Sequence, residues 1–268
     1  MAFLEEIVRE VRETLPRVAP SGQPTPRPPR ARASFRTSVR RDRKRGALVV
    51  EYKRVSPGQT ESALPRRSIQ EFVRVTQAGR PSAYSCLATR PRFEGSPEDV
   101  RELAKATRRP VLYKDFVIDP RQVELASRCG ASAILLIARL EDEGYLSEPL
   151  DRLAERAHRL GLEVLLEFHS RTELSRAGDV RADVYGVNSR DLDSLSIART
   201  TAEETIHDAA RMGLRPLLGL SGVEDASDAR RFWDSGVDGI LVGTAVARSN
   251  EPALFLASLL RAHDGGRA

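Results

Sequence analysis

Lysine is scarce in this chain: of 43 Lys and Arg residues only Lys44, Lys53, Lys105 and Lys114 are lysine. Arginine keeps its proton near neutral pH, whereas a lysine loosens its proton when buried or set beside another cation. The lysines are therefore the cations best suited to move protons. Lys44 lies in the run Arg41-Asp42-Arg43-Lys44-Arg45 and Lys105 in a polar helical stretch, where a solvated charge is the plainer reading. Lys53 and Lys114 each end a short apolar run, and Glu51, Glu167, Asn188 and Arg190 close such runs in the same way. Ser221-Gly222 and Gly243-Thr244 end two more. One or two polar residues at strand ends are ordinary caps or ion pairs; a polar residue at most of the ends is a site. The residue types suit acid–base work on an anionic substrate. Two lysines in one mouth weaken each other's hold on a proton, so one can act as a general acid while a carboxylate acts as base. The paired glycine turns, with a short helix starting near Thr244, let backbone N–H groups approach a phosphate.

Such residues need elements to position them. The pattern predicts strands over 48–53, 83–87, 110–114, 133–138, 163–168, 183–188, 216–219 and 239–242. Helical stretches follow near 67–79, from Ser96, and at 120–129, 147–160, 171–177, 200–212, 224–235 and 251–262. Ser96 is a good N-cap, followed by proline and two acids in the first turn. Several strands are continuous apolar runs, as expected of parallel strands covered on both faces. Eight strand–helix repeats predict an α/β fold, a (β/α)8 TIM barrel, whose chemistry collects at the C-terminal strand ends. A doubly wound open sheet would place G-x-G-x-x-G after the first strand, and that motif is absent. Residues 1–45 lie outside the repeat, as an amphipathic helix and a basic Pro/Arg-rich arm; residues 46–268 are the expected catalytic barrel. The helix is expected to cover a barrel mouth, with a partner-binding tail as the alternative.

Composition narrows the classes. With 40% hydrophobic and 30% charged residues, the chain reads as a soluble globular protein. No apolar stretch is long enough to span a membrane, and the acidic start resembles neither signal nor transit peptide. Cys86 and Cys129 sit in apolar contexts without metal-ligand spacing, which fits free thiols and a cytoplasmic location. The net charge of +5 raises nucleic-acid binding. The excess is concentrated in residues 17–45, which hold a single aromatic residue, Phe35, so base stacking is poorly supported and no nucleic-acid partner is expected.

Eight segments carry a family resemblance. They are Glu51-Tyr52-Lys53-Arg54-x-Ser56-Pro57, Phe93-x-Gly95-Ser96, Pro110-Val111-Leu112-x-Lys114-Asp115-Phe116-x-Ile118-Asp119 and Gly130-Ala131-x-Ala133-x-Leu135-Leu136-Ile137. Leu162-Glu163-Val164-Leu165-x-Glu167, Gly186-Val187-Asn188-x-Arg190-Asp191-Leu192, Ser221-Gly222 and Val242-Gly243-Thr244 complete the set. In these the chain resembles the indole-3-glycerol-phosphate synthase family of tryptophan biosynthesis. The K-D-F and G-x-N-x-R-D-L segments are specific to that family; the glycine turns are shared with many phosphate-binding barrels.

The resemblance implies a lyase that closes a pyrrole ring in 1-(2-carboxyphenylamino)-1-deoxyribulose 5-phosphate, with loss of CO2 and water. It implies no metal or organic cofactor, and it makes other tryptophan-pathway enzymes candidate partners. Lys114 matches the general acid of ring closure and Glu167 the acid–base group of dehydration. Glu51 and Asn188 match orienting and polarising residues, and Lys53 a group near the phosphate end that assists proton transfer. Arg190 matches the binder of the anthranilate carboxylate. Ser56, Ser221, Gly222, Gly243 and Thr244 match the phosphate cradle, and Phe93 and Pro57 the apolar walls. The N-terminal helix matches one packed over the active-site mouth.

The sequence also departs from the family pattern. Leu220 stands where the family has Glu before Ser-Gly, Leu87-Ala88-Thr89 replaces L-T-E, and Gly58-Gln59-Thr60 follows Pro57. Every expected catalytic position is nonetheless present, so an active enzyme is expected. A weakened paralogue serving as a phosphate-ligand-binding or scaffold subunit is the alternative, motivated by Leu220 and the basic arm. Phosphoribosylanthranilate isomerase, a neighbouring barrel, would resemble a cysteine at the first strand end and an aspartate at the sixth. Glu51/Lys53 and Asn188 occupy those ends.

Overall fold

The computed structural model describes residues 2–15, 33–40, 46–56 and 67–264. Lys44, Pro57, the 58–60 segment and most of the basic arm lie outside the described residues. The strands are β1 (Ala47–Tyr52), β2 (Ala83–Leu87), β3 (Val111–Lys114), β4 (Ala133–Ile137), β5 (Glu163–Phe168), β6 (Val184–Asn188), β7 (Leu217–Leu220) and β8 (Gly239–Val242). All pair in parallel, and β8 closes on β1 to give an eight-stranded barrel. This is the expected (β/α)8 fold, and the strand boundaries agree with the sequence reading to about a residue.

The helices are α1 (Phe3–Thr14), α2 (Phe35–Val39), α3 (Ile69–Thr76), α4 (Pro97–Ala106), α5 (Pro120–Arg128), α6 (Ala138–Asp142), α7 (Leu150–Arg159), α8 (Arg199–Arg211), α9 (Ala226–Asp234), α10 (Thr244–Arg248) and α11 (Pro252–Asp264). Local chemistry starts several of them. Ser68 and Ser96 each accept a backbone N–H of the first turn, and Pro97 occupies the first position of α4. Asp119 and Gln122 form a reciprocal capping box at α5, and Asp225 caps α9.

The period of two along a strand sorts the core. Outward residues such as Leu48, Val50, Leu136, Leu166 and Ile240 pack under the helices. Inward residues such as Val49, Leu112, Leu135, Leu165, Leu218 and Leu241 fill the barrel. Counting in twos along the inward face reaches Glu51 and Lys53 from Val49, Lys114 from Leu112, Glu167 from Leu165 and Asn188 from Val184. The filling of the barrel thus dictates which polar residues enter the mouth.

Two short elements before β1 cap this interior column. The apolar stripe Leu4, Ile7, Val8 and Val11 of α1 joins the interior core, as do Phe35 and Val39 of α2. α2 sits at the base: Ser34 Oγ and the Arg36 backbone N–H donate to Glu163, the first residue of β5. α1 lies at the opposite end, where Phe3 lines the mouth and Arg92 pairs with Glu6 and Glu10. Covering of the C-terminal mouth by the N-terminal helix is as expected. α2 and α6 are additions: each has five residues, too few to show helical periodicity in the sequence. Among the described residues no helix is long and apolar enough to cross a membrane.

Candidate active site

The strand ends converge on a cleft of about 670 Å³, lined by Glu51, Lys53, Ser56, Phe93, Lys114, Glu167, Asn188, Arg190 and Ser221, with Phe3 and Phe116 at its edge. A second hollow of about 570 Å³ adjoins it and shares Glu51, Lys53, Lys114, Arg190 and Ser221. Gly222, Gly243 and Thr244 line this second hollow. Every expected site residue within the described chain is therefore in one continuous mouth; Pro57 lies outside the described residues.

Glu51 is the centre of the charged set. Its Oε1 lies 3.4 Å from Lys53 Nζ and its Oε2 3.8 Å from Lys114 Nζ. Both lysine side chains are mostly buried, at 13% and 19% exposure, so the ions interact with little screening by water. Burial pulls the Lys53 ammonium below the usual lysine range; Glu51 acts against this, and Lys114 and Arg190 reinforce it. Mutual weakening by like charges was the sequence expectation, and for Lys53 burial contributes more than Lys114 does. Lys105 is exposed, in keeping with a solvated charge.

The second carboxylate sits across the mouth. Glu167 Oε1 accepts from Asn188 Nδ2 at 3.0 Å and lies 3.2 Å from His169 Nε2. Burial opposes ionisation of Glu167, but His169, Lys114 and Asn188 more than offset it and hold its carboxyl below the usual carboxylate range. Asn188 is held in turn, its Oδ1 accepting the Arg190 backbone N–H at 3.0 Å. The Arg190 guanidinium donates to Leu195 O at 2.6 Å, and burial lowers its proton affinity.

The side of the mouth at the ends of β7 and β8 is built from backbone. Ser221 and Gly222 adopt consecutive positive φ angles of 63° and 73°, a sharp turn at the end of β7. A Cβ on Gly222 would meet Ser189 Oγ at 2.7 Å, and one on Gly243 would meet Glu51 Oε1 at 2.7 Å. These glycines therefore leave room for neighbouring polar groups as well as for close approach of an anion. Ser56 Oγ is 3.3 Å from Thr244 Oγ1 at the start of α10, which joins the segments that follow β1 and β8.

Apolar walls complete the opposite side. Phe93 and Phe116 pack with ring centroids 6.1 Å apart, beside Leu135, Ile137 and Leu192. Asp115 is buried beneath them, accepting from Thr89 Oγ1 at 2.6 Å, Gln122 Nε2 at 3.0 Å and the Phe116 N–H at 2.9 Å. This network fixes the loop carrying Lys114 and Phe116. Thr89, a departure from the family pattern, is thus a partner of Asp115. Leu220 points into the barrel among Leu165, Leu218 and Leu241, and its Cδ1 lies 2.8 Å from where a Cβ on Gly186 would stand.

Sequence reasoning missed Phe3, Phe116 and His169. The inward period of two carries on from Glu167 to His169, a signal available in the sequence. Phe3 gives no such signal, because α1 is joined to the mouth only by tertiary packing.

Comparison with known proteins gives the family. Residues 4–259 match the family described as indole-3-glycerol phosphate synthase. A relative of that name from Staphylococcus aureus (strain bovine RF122 / ET3-1) is 36% identical over 226 residues, covering 84% of each chain. Another of that name, from Exiguobacterium sibiricum, is 35% identical over 210 residues, covering 78% of this chain and 79% of its own. In fold alone, thiamine phosphate pyrophosphorylase from Pyrococcus furiosus superposes with a TM-score of 0.62 at 18% identity, over 88% of this chain and all (100%) of that one. Sequence match and barrel architecture lead to one conclusion: the chain belongs to the indole-3-glycerol phosphate synthase family.

Proposed function

We propose that the protein converts 1-(2-carboxyphenylamino)-1-deoxyribulose 5-phosphate to indole-3-glycerol phosphate, CO2 and water, as a carboxy-lyase of tryptophan biosynthesis. The observation that carries this reading is the order of surfaces across the mouth. An apolar wall at Phe93 and Phe116 leads to the Glu51–Lys53–Lys114 cluster, which leads to the glycine turns at Gly222 and Gly243. The substrate has the same order: an aromatic ring, the reacting carbons, then a phosphate.

In this reading Lys114 donates the proton that polarises the substrate carbonyl as the ring carbon attacks it. Guanidinium could not replace it, because a proton held that tightly is not released in the transition state. Glu51 orients both lysines, and Lys53, whose proton is loosened by burial, assists proton transfer. The substrate carboxylate then leaves as CO2 from the ring carbon that made the attack, its bonding electrons restoring the aromatic ring, with Arg190 holding that carboxylate beforehand. Glu167, fixed by Asn188, handles the proton in the loss of water. Ser56, Ser221, Gly222, Gly243 and Thr244 receive the phosphate, and Phe93 with Pro57 brackets the ring.

The proposal extends to organisation. Residues 46–268 are the catalytic barrel, 1–45 its N-terminal extension, the location cytoplasmic, and other enzymes of the pathway its partners. The test is direct: incubate the purified chain with the carboxyphenylamino-deoxyribulose phosphate and follow indole fluorescence. Product is expected to form catalytically. Its absence at high enzyme concentration would favour the weakened, ligand-binding paralogue.

A further inference from the structure

Beside Glu167 lies a buried set of ionisable groups with no part in the chemistry above. His169 follows Glu167 by two residues, and its side chain is only 6% exposed. Its Nε2 faces Glu167 Oε1 at 3.2 Å and its Nδ1 faces Glu173 Oε2 at 3.4 Å. Glu173, also buried, accepts the His169 backbone N–H at 2.9 Å and Ser170 Oγ at 3.2 Å. A neutral imidazole carries one N–H and cannot donate toward two carboxylates. A ring with a carboxylate at each nitrogen is matched to the doubly protonated imidazolium. Neither His169 nor Glu173 is among the residues lining the cleft, whereas Glu167 is.

The second observation concerns the two oxygens of Glu167. Asn188 donates a hydrogen bond to Oε1 and His169 Nε2 lies 3.2 Å from it as an ion pair without hydrogen-bond geometry, while Oε2 is buried and has no hydrogen-bond partner in the protein. An unpartnered buried carboxylate oxygen is costly unless a ligand uses it. We infer that His169, clamped by Glu173, is a positioning residue: with Asn188 it pins Oε1 of Glu167 and reserves Oε2 for proton exchange with the substrate. This rests on the proposed lyase activity and on Glu167 taking part in it.

The charged surroundings support the assignment. Glu167 of β5 and Glu173 of the 3-10 helix Thr172–Ala177 face His169, and Lys114 acts on Glu167 from β3. The nearby Arg171 pairs with Asp208 of α8, and Arg176 with Glu141 and Asp142 of α6. Burial disfavours charge on His169, yet the two carboxylates outweigh it and push the imidazole up to about 9. The pair is therefore imidazolium and carboxylate at neutral pH.

The test combines kinetics with nuclear magnetic resonance. In His169→Gln, loss of the cation raises the proton affinity of Glu167. The acid limb of the kcat profile is then expected to move up by about one pH unit, with kcat about tenfold lower and KM little changed. Glu173→Gln keeps an acceptor for the backbone N–H. In it the His169 ring is expected to titrate well below the wild-type value, read from histidine-labelled protein without substrate. A merely structural staple would lower Tm and leave both the acid limb and the histidine titration in place, which overturns the inference. A wild-type His169 that is neutral at pH 7 also overturns it. Failure of the wild type to form indole product would instead sink the proposed reaction, and the resonance result would stand apart from it.

Discussion

At the ends of β1, β3 and β5 the mouth is lined by charged side chains that hold one another, whereas at the ends of β7 and β8 it is lined by backbone. On the first side Glu51 bridges two lysines and Glu167 is held by Asn188 and His169. Those contacts depend on protonation. On the second side Ser221, Gly222 and Gly243 contribute conformation and the absence of side chains. That surface is indifferent to pH over the same range and intolerant of a single added carbon. In the proposed reaction the reacting end of the substrate needs groups whose charge can change, and its phosphate end needs a fixed surface of N–H donors. The two sides should therefore fail in different ways when altered.

The largest effect is expected at Lys114. Lys114→Arg keeps the positive charge but removes the releasable proton, so kcat should fall by about 10²–10⁴-fold while KM stays close to wild type. A near-normal steady-state rate would reduce Lys114 to an electrostatic role and blur the contrast between the two sides.

The glycine turns come next. Gly222→Ala must hold a Cβ at φ 73° and against Ser189 Oγ. A left-handed alanine costs about 1–2 kcal/mol, which if spent against the bound state raises KM roughly tenfold. The acid–base set is untouched, so kcat should hold. Gly243→Ala crosses the divide, because its Cβ would press on Glu51 Oε1 and Lys53 Cε at 2.7 and 3.1 Å. Both kcat and KM are expected to worsen. An effect on KM alone would show that the sides are more independent than their contacts suggest.

Leu220 tests how far the glycine-turn side has adapted to lacking a carboxylate. It is fully buried among leucines and fills the space over Gly186. Leu220→Glu is expected to lower stability by about 1–3 kcal/mol, seen as a lower Tm, without raising kcat. A gain in turnover would instead identify the leucine as a lesion in the site.

The smallest effect is in the pH dependence of stability. The His169 ring titrates near 9 in the folded protein, above its ordinary 6.5. Its stabilising contribution is therefore complete below about 6.5 and is lost as pH rises through about 9. Glu167, held below the usual range, works at the other end: its contribution is present above the ordinary carboxylate value and lost as pH falls through the folded one. The Tm difference between wild type and His169→Gln should shrink from pH 6.5 to 9. A constant difference would mean that the ring is not charged in the fold. The corresponding comparison for Gly222→Ala should be flat across that range.

Much of this was legible before the structure. Glu51, Lys53, Lys114, Glu167, Asn188 and Arg190 stood out because each closes an apolar run, and the eight runs repeat. The inward period of two would have added His169 by the same logic. Other features were hidden for physical reasons. α2 is too short to show periodicity, and Phe3 reaches the mouth only because α1 folds back across it. Thr89 reads as an arbitrary departure until Asp115 is found accepting its hydroxyl. Leu220 reads as a lost carboxylate until it is found packed over Gly186.

The sequence by itself determined the barrel and the roster of the mouth, because strand–helix repetition and alternation along each strand are local properties of the chain. Only the tertiary structure decided how those residues act on one another. It brought two lysines to opposite oxygens of Glu51, and it placed an imidazole between Glu167 and Glu173. Proton affinities depend on burial and on charges a few ångströms away, and both arise only when distant strand ends close into one ring.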